Sequence, residues 1–77
     1  MEDNNLDGIV KEVIYNSDNT RTGYYRVEIE THKKFLIQCH EDGYIRYKKI
    51  VINEGDKVKI QLNPMNLSRG RVLDVMK

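Results

Sequence analysis

The chain has 77 residues, room for one domain and no more. Thirteen Lys and Arg against twelve Asp and Glu leave a net charge of +1, too near neutrality to argue for a polyanionic partner from charge alone. A single Cys excludes an internal disulfide and a multi-cysteine metal site, and the two His lack suitably spaced carboxylates to complete a zinc site. No apolar run approaches the roughly 20 residues that span a bilayer. The acidic start, Met1-Glu2-Asp3, has neither the basic opening of a secretory signal nor the Arg-rich character of a transit peptide, so a cytosol-like, reducing compartment is expected. So short a chain buries only about 60% of its unfolded surface, which favours a closed barrel as an efficient way to pack a thin core.

Five segments alternate apolar and polar residues, or carry β-branched runs, with turn residues between them. Residues 1–6 read as an unstructured tail. The first strand is 8–15, with Ile9, Val10, Val13 and Ile14, and 16–23 is a long polar loop. The second strand is 24–30, with Tyr25, Val27 and Ile29 on one face and Tyr24, Arg26, Glu28 and Glu30 on the other, because side chains alternate across a strand. A polar turn at 31–34 leads to the third strand, 35–39, with Phe35, Ile37 and Cys39 inward. Residues 42–49 read as a short helical or irregular connection and 54–56 as a turn. The fourth strand, 57–62, turns Val58, Ile60 and Leu62 inward and Lys57, Lys59 and Gln61 outward. Pro64 cannot continue a central strand, so 63–68 is read as a loop before the fifth strand, 70–76.

No segment sustains a 3.6-residue period, which argues against a helical bundle. Three strands, a short connector and two strands is the chain order of an all-β, five-stranded OB-fold Greek-key barrel, with an SH3-like barrel the nearest competitor. The whole chain, 1–77, reads as one such domain.

Two stretches carry a family resemblance. One is Gly55-Asp56-Lys57-Val58-Lys59-Ile60-Gln61-Leu62, and the other is Pro64-Met65-Asn66-Leu67-Ser68-Arg69-Gly70-Arg71-Val72. With Gly8-Ile9-Val10 and Tyr25-Arg26-Val27-Glu28-Ile29, they resemble bacterial-type translation initiation factor 1 in the same order and over nearly the whole chain. The resemblance implies an S1-like RNA-binding OB barrel that sits in the decoding (A) site of the small ribosomal subunit. There it would contact ribosomal RNA and a ribosomal protein, work with initiation factors 2 and 3, and block early entry of tRNA. It implies no enzymatic activity, no cofactor, no membrane and a monomer, in the bacterial cytoplasm or an organellar matrix or stroma. The chain departs from the pattern in longer 16–23 and 31–34 segments. Lys49 and Val51 stand where the family has Tyr and Arg, Met65 stands where it has Tyr, and the basic tail is reduced to Lys77.

The candidate binding residues follow. Arg69 and Arg71 flank Gly70 at a loop-to-strand junction, where Arg can grip phosphate with two parallel hydrogen bonds and Gly lets the backbone approach closely or take a positive φ. The bland alternative is a turn glycine between two solvated charges. Arg46, Lys48 and Lys49 interleave with Tyr44 and Tyr47, pairing charges for phosphate with rings that stack on unpaired bases, or else forming an exposed connector whose tyrosines cap the barrel. Tyr24 and Arg26 share the outward face of the second strand, the oligonucleotide-binding region of many OB folds. His40 matches a family histidine. Cys39 reads as a small buried residue, since its neighbour His40 points to the opposite face and cannot share a proton with it. Two other readings stay open: a general single-stranded RNA or DNA binder, which a chain with no Trp and one Phe suits poorly, and a protein-interaction barrel.

Overall fold

The structure, a computed structural model, describes residues 5–30 and 32–76, and of residues 32–34 the backbone alone. Alternation builds the strands β1 (Asn5–Tyr15), β2 (Arg21–Ile29), β3 (His32–Glu41), β4 (Lys57–Asn63) and β5 (Asn66–Val75), with one helix, α1 (Gly43–Lys48), between β3 and β4. The strands close into a barrel in the order β1-β2-β3-β5-β4. The β3–β5 pair is parallel and the other pairings are antiparallel, as in the OB fold.

The inward residues of β1 to β5 meet in one core: Val10, Val13, Tyr25, Val27, Ile29, Ile37, Cys39, Val58, Ile60 and Val72. Ile45 from α1 and Ile52 from the segment after it add two fully buried apolar side chains from outside the strands. Each such side chain contributes about 1.5–3 kcal/mol relative to exposure, and most are β-branched, the shape a pleated surface accommodates best.

Helix α1 is short and held at both ends. The Asp42 carboxylate accepts the Tyr44 N–H at 3.1 Å as N-cap. At the other end Lys49 turns left-handed, φ 56°, and its N–H donates back to the Arg46 and Ile45 carbonyls.

Strand boundaries differ from the sequence reading wherever pairing is irregular. β1 starts at Asn5, because Asn5 and Leu6 pair with Gln61 and Ile60 of β4, so two residues of the expected tail belong to the sheet. β2 starts at Arg21, which pairs with Tyr15 across a register shift, and this shortens the loop to 16–20. That loop is knitted by its own bonds: Asn16 N–H to the Thr20 carbonyl at 2.7 Å, and the Thr20 N–H and hydroxyl to Asp18. β3 starts at His32, inside the segment read as a turn; Thr31 lies outside the described residues. Phe35, expected inward, is 51% exposed. The β2–β3 register jumps from Glu28↔Leu36 to Ile29↔His32, so Phe35 sits in a bulge where simple alternation no longer applies. β5 starts at Asn66 rather than at residue 70, leaving Pro64 and Met65 as the turn.

Candidate nucleic-acid interface

Outward residues of four neighbouring strands form one row across the barrel. Tyr24 faces His40 across β2–β3, His40 faces Arg71 across β3–β5, and Arg71 faces Gln61 across β5–β4. In the adjoining row Arg26 faces Gln38, and Gln38 faces Arg69. A groove of about 570 Å³ runs over these rows, Arg26 excepted, toward the β4–β5 turn and is lined also by Asn63, Pro64 and Asn66.

The groove combines rings, amides and cations. The Tyr24 and His40 rings lie 6.0 Å apart at 50°, a tilted aromatic pair. Arg71 is held from two sides, its Nη2 donating to Gln61 Oε1 at 2.7 Å and its Nε 3.4 Å from Asp42 Oδ1. The Arg69 side chain is exposed and makes no ion pair or hydrogen bond among the described residues. It rises from a second bulge: Leu62 pairs with Gly70 but Asn63 with Asn66, so residues 67–69 have no counterpart on β4. The absent side chain of Gly70 explains the tight closure there. A Cβ would stand 3.0 Å from the Gln61 carbonyl oxygen and 3.4 Å from Cys39 Sγ, so close approach inside the barrel wall, and not a positive φ, accounts for this glycine.

No residue of α1 lines the groove. Tyr44 and Tyr47 are 49% and 80% exposed, so neither caps the barrel interior, which Ile45 fills instead. Arg46 Nε lies 3.7 Å from Glu41 Oε1, while Lys48 and Lys49 make no ion pair or hydrogen bond through their side chains among the described residues. Arg26 is drawn away toward β1, where its Nε meets Glu12 Oε1 at 3.0 Å, and it does not line the groove. The sequence reading missed Gln38, Gln61, Asn63 and Asn66. Gln38 and Gln61 carried a usable signal, outward parity beside Arg69 and Arg71, but only once the strand order was known. It also passed over Arg21, which donates to the Ile52 carbonyl and to Asn53 Oδ1 at 2.9 Å and lies over the Tyr15 ring at 5.9 Å, fastening the β1–β2 end to the connector.

Beneath the surface, the Tyr25 hydroxyl donates to Glu41 Oε2 at 2.6 Å. Burial first, then the hydrogen bond and charge of Glu41, push the phenol from 10.0 to about 12, with Arg21 opposing. Burial alone pushes the Cys39 thiol from 9.0 to about 12. A raised acid is stabilised in its neutral form by folding, so both contributions are complete below pH 9 and decline as pH rises toward 12. The urea midpoint is therefore expected to be level up to pH 9 and to fall above it, with Cys39 resisting iodoacetamide in the native state at pH 8. A midpoint level to pH 11, or alkylation at the rate of a free thiol, would contradict this.

Among the described residues no group of three or more His, Cys, Asp or Glu is placed to hold a metal ion, and no helix is long and apolar enough to cross a membrane. No protein-family model matches the chain. Over 75 residues it is 35% identical to a translation initiation factor 1 of Mycoplasmoides gallisepticum, covering 95% of this chain and 96% of that protein. The chain belongs to the translation initiation factor 1 family. Among solved structures, it superposes on the translation initiation factor 1 from the Wolbachia endosymbiont of Brugia malayi with a TM-score of 0.68 and 25% identity, over 95% of this chain and 77% of that one. It superposes equally, TM-score 0.68 and 25% identity, on YjeQ from Thermotoga maritima, of which it spans only 23%. The motifs of initiation factor 1 fall at structural junctions here. Gly55, with φ 89°, and Asp56, whose Oδ2 accepts the Asn53 N–H at 2.9 Å, form the turn into β4, and Ser68-Arg69-Gly70-Arg71 forms the bulged flank of β5.

Proposed function

We propose that this chain binds the small ribosomal subunit at its decoding site through ribosomal RNA and a ribosomal protein, and there assists initiation factors 2 and 3. Binding is its whole activity, without catalysis or cofactor. Family membership supports the initiation role. The observation that supports an RNA-facing side is the distribution of uncompensated charge. Lys11, Lys57 and Lys59 each pair with a carboxylate, at 3.5, 3.4 and 3.7 Å. Lys48, Lys49 and Arg69 have no such partner among the described residues and lie on α1, its cap and the rim of the groove. A near-neutral protein that leaves these three cations unpaired among its described residues, beside exposed tyrosines, presents a phosphate-and-base surface locally, with no need for high net charge.

The test is co-sedimentation of the purified chain with small ribosomal subunits at low and moderate salt. Saturable binding that weakens with salt is expected, because each neutralised phosphate releases counterions. Absence of binding at low salt would reduce the family likeness to a shared barrel.

A further inference from the structure

Two parts of the candidate interface, the groove and α1, meet at one carboxylate. Asp42 Oδ2 caps the helix at the Tyr44 N–H, 3.1 Å away, while Oδ1 lies 3.4 Å from Arg71 Nε. Its backbone N–H donates to the Val72 carbonyl at 3.0 Å, fixing the residue against β5. With Gln61 holding Nη2 at 2.7 Å, Arg71 stands in the groove in one orientation, its charge offset by a neighbour that itself cannot move without uncapping the helix.

A negative charge beside the groove has two effects on an approaching polyanion. It repels phosphate in any arrangement. It also fixes the guanidinium, so a rigid RNA surface that presents phosphate at the right place loses little by meeting Arg71 already oriented, whereas a flexible strand gains nothing from that order. Charge repulsion at surface separations is of the same size as one exposed ion pair, so the balance can discriminate between partners without abolishing binding.

We propose that Asp42 is a positioning residue that sets specificity: acting through Arg71, it suppresses binding of unstructured single strands relative to a folded RNA surface. The inference rests on the ribosomal reading of the groove. It assigns to an acidic residue, which no charge-counting argument would place in an RNA interface, the task of limiting promiscuity.

The experiment compares wild type, Asp42→Asn, Arg71→Gln and the double variant. Asn caps a helix as well as Asp, so Asp42→Asn removes the charge and keeps α1, which a circular-dichroism melt checks. Asp42→Ser repeats the test should that variant fold poorly. Asp42→Asn is expected to bind a short oligouridylate about fivefold more tightly at low salt, with a log–log salt slope steeper by about 0.7. Its affinity for small ribosomal subunits should rise by less, or fall, so that the preference narrows. In the Arg71→Gln background the same change should gain clearly less on oligouridylate, since only the direct repulsion remains to be relieved. If wild type sediments with subunits and Asp42→Asn gains nothing on oligouridylate, or gains equally on both partners, the inference alone is overturned, as it is if the gain is undiminished without Arg71. A wild type that does not sediment with subunits overturns the ribosomal reading and the inference with it.

Discussion

Gly8→Ala is expected to lower the melting temperature of the barrel by about 10 °C. Gly8 is where β1 serves both neighbours, pairing with Ile29 of β2 on one side and Val58 of β4 on the other. A Cβ there would stand 2.5 Å from Val27 Cγ1 and 2.9 Å from the Glu28 carbonyl oxygen. Val27 is fully buried, and the oxygen is backbone, so neither can step aside without moving β2. Overpacking of this kind costs about 1–3 kcal/mol, against a total of about 4–12 kcal/mol for a domain of this length. Gly43→Ala is the control, since a Cβ at Gly43 meets nothing within 4 Å and the residue opens α1, where Ala is favoured. Thermal melts of both variants decide the matter. A Gly8→Ala protein melting within a few degrees of wild type would mean that the β1–β2 wall yields more easily than its packing implies.

The legible part of this fold was its alternation. Tyr25, Val27 and Ile29, read as one face of a strand, are all buried to 1% exposure or less, and Val58 and Ile60 likewise. Period-2 patterning is written within one segment, so a single sequence displays it. The bulges were not legible. Phe35 and residues 67–69 depart from alternation because of how two strands pair, and no segment records the register of its partner. Polar residues deepened the error at β5. Asn63, Asn66 and Ser68 suggest a loop, yet Asn63 accepts the Met65 N–H and Asn66 the Ser68 N–H, local bonds compatible with a bulged hairpin. For the candidate site, the residue types were readable from the sequence, but Arg69 and Arg71 looked like equals. They differ because the topology sets Asp42 and Gln61 beside Arg71 and gives the Arg69 side chain no partner among the described residues, contacts that sequence spacing does not reveal.

That difference sharpens the mutational test of binding. The combined variant Lys48→Ala, Lys49→Asn, Arg69→Ala removes three cations that carry no partner among the described residues; Asn is chosen at position 49 because it tolerates the left-handed backbone there. If each contacts one phosphate, the log–log salt slope of subunit binding is expected to fall by about 2 to 2.7 and low-salt affinity by about a hundredfold. Stability should change little, since these side chains are exposed and only Lys48 lies in the last turn of a helix, where a cation contributes a few tenths of a kcal/mol. The matched control is Lys11→Ala, Lys57→Ala, Lys59→Ala, which makes the same change in net charge on the face formed by β1 and β4, where the cations are already paired. A local phosphate surface predicts a large loss for the first set and a small one for the second. Equal losses would mean that overall charge governs association, and that α1 and the bulged flank of β5 hold no privileged contact with RNA.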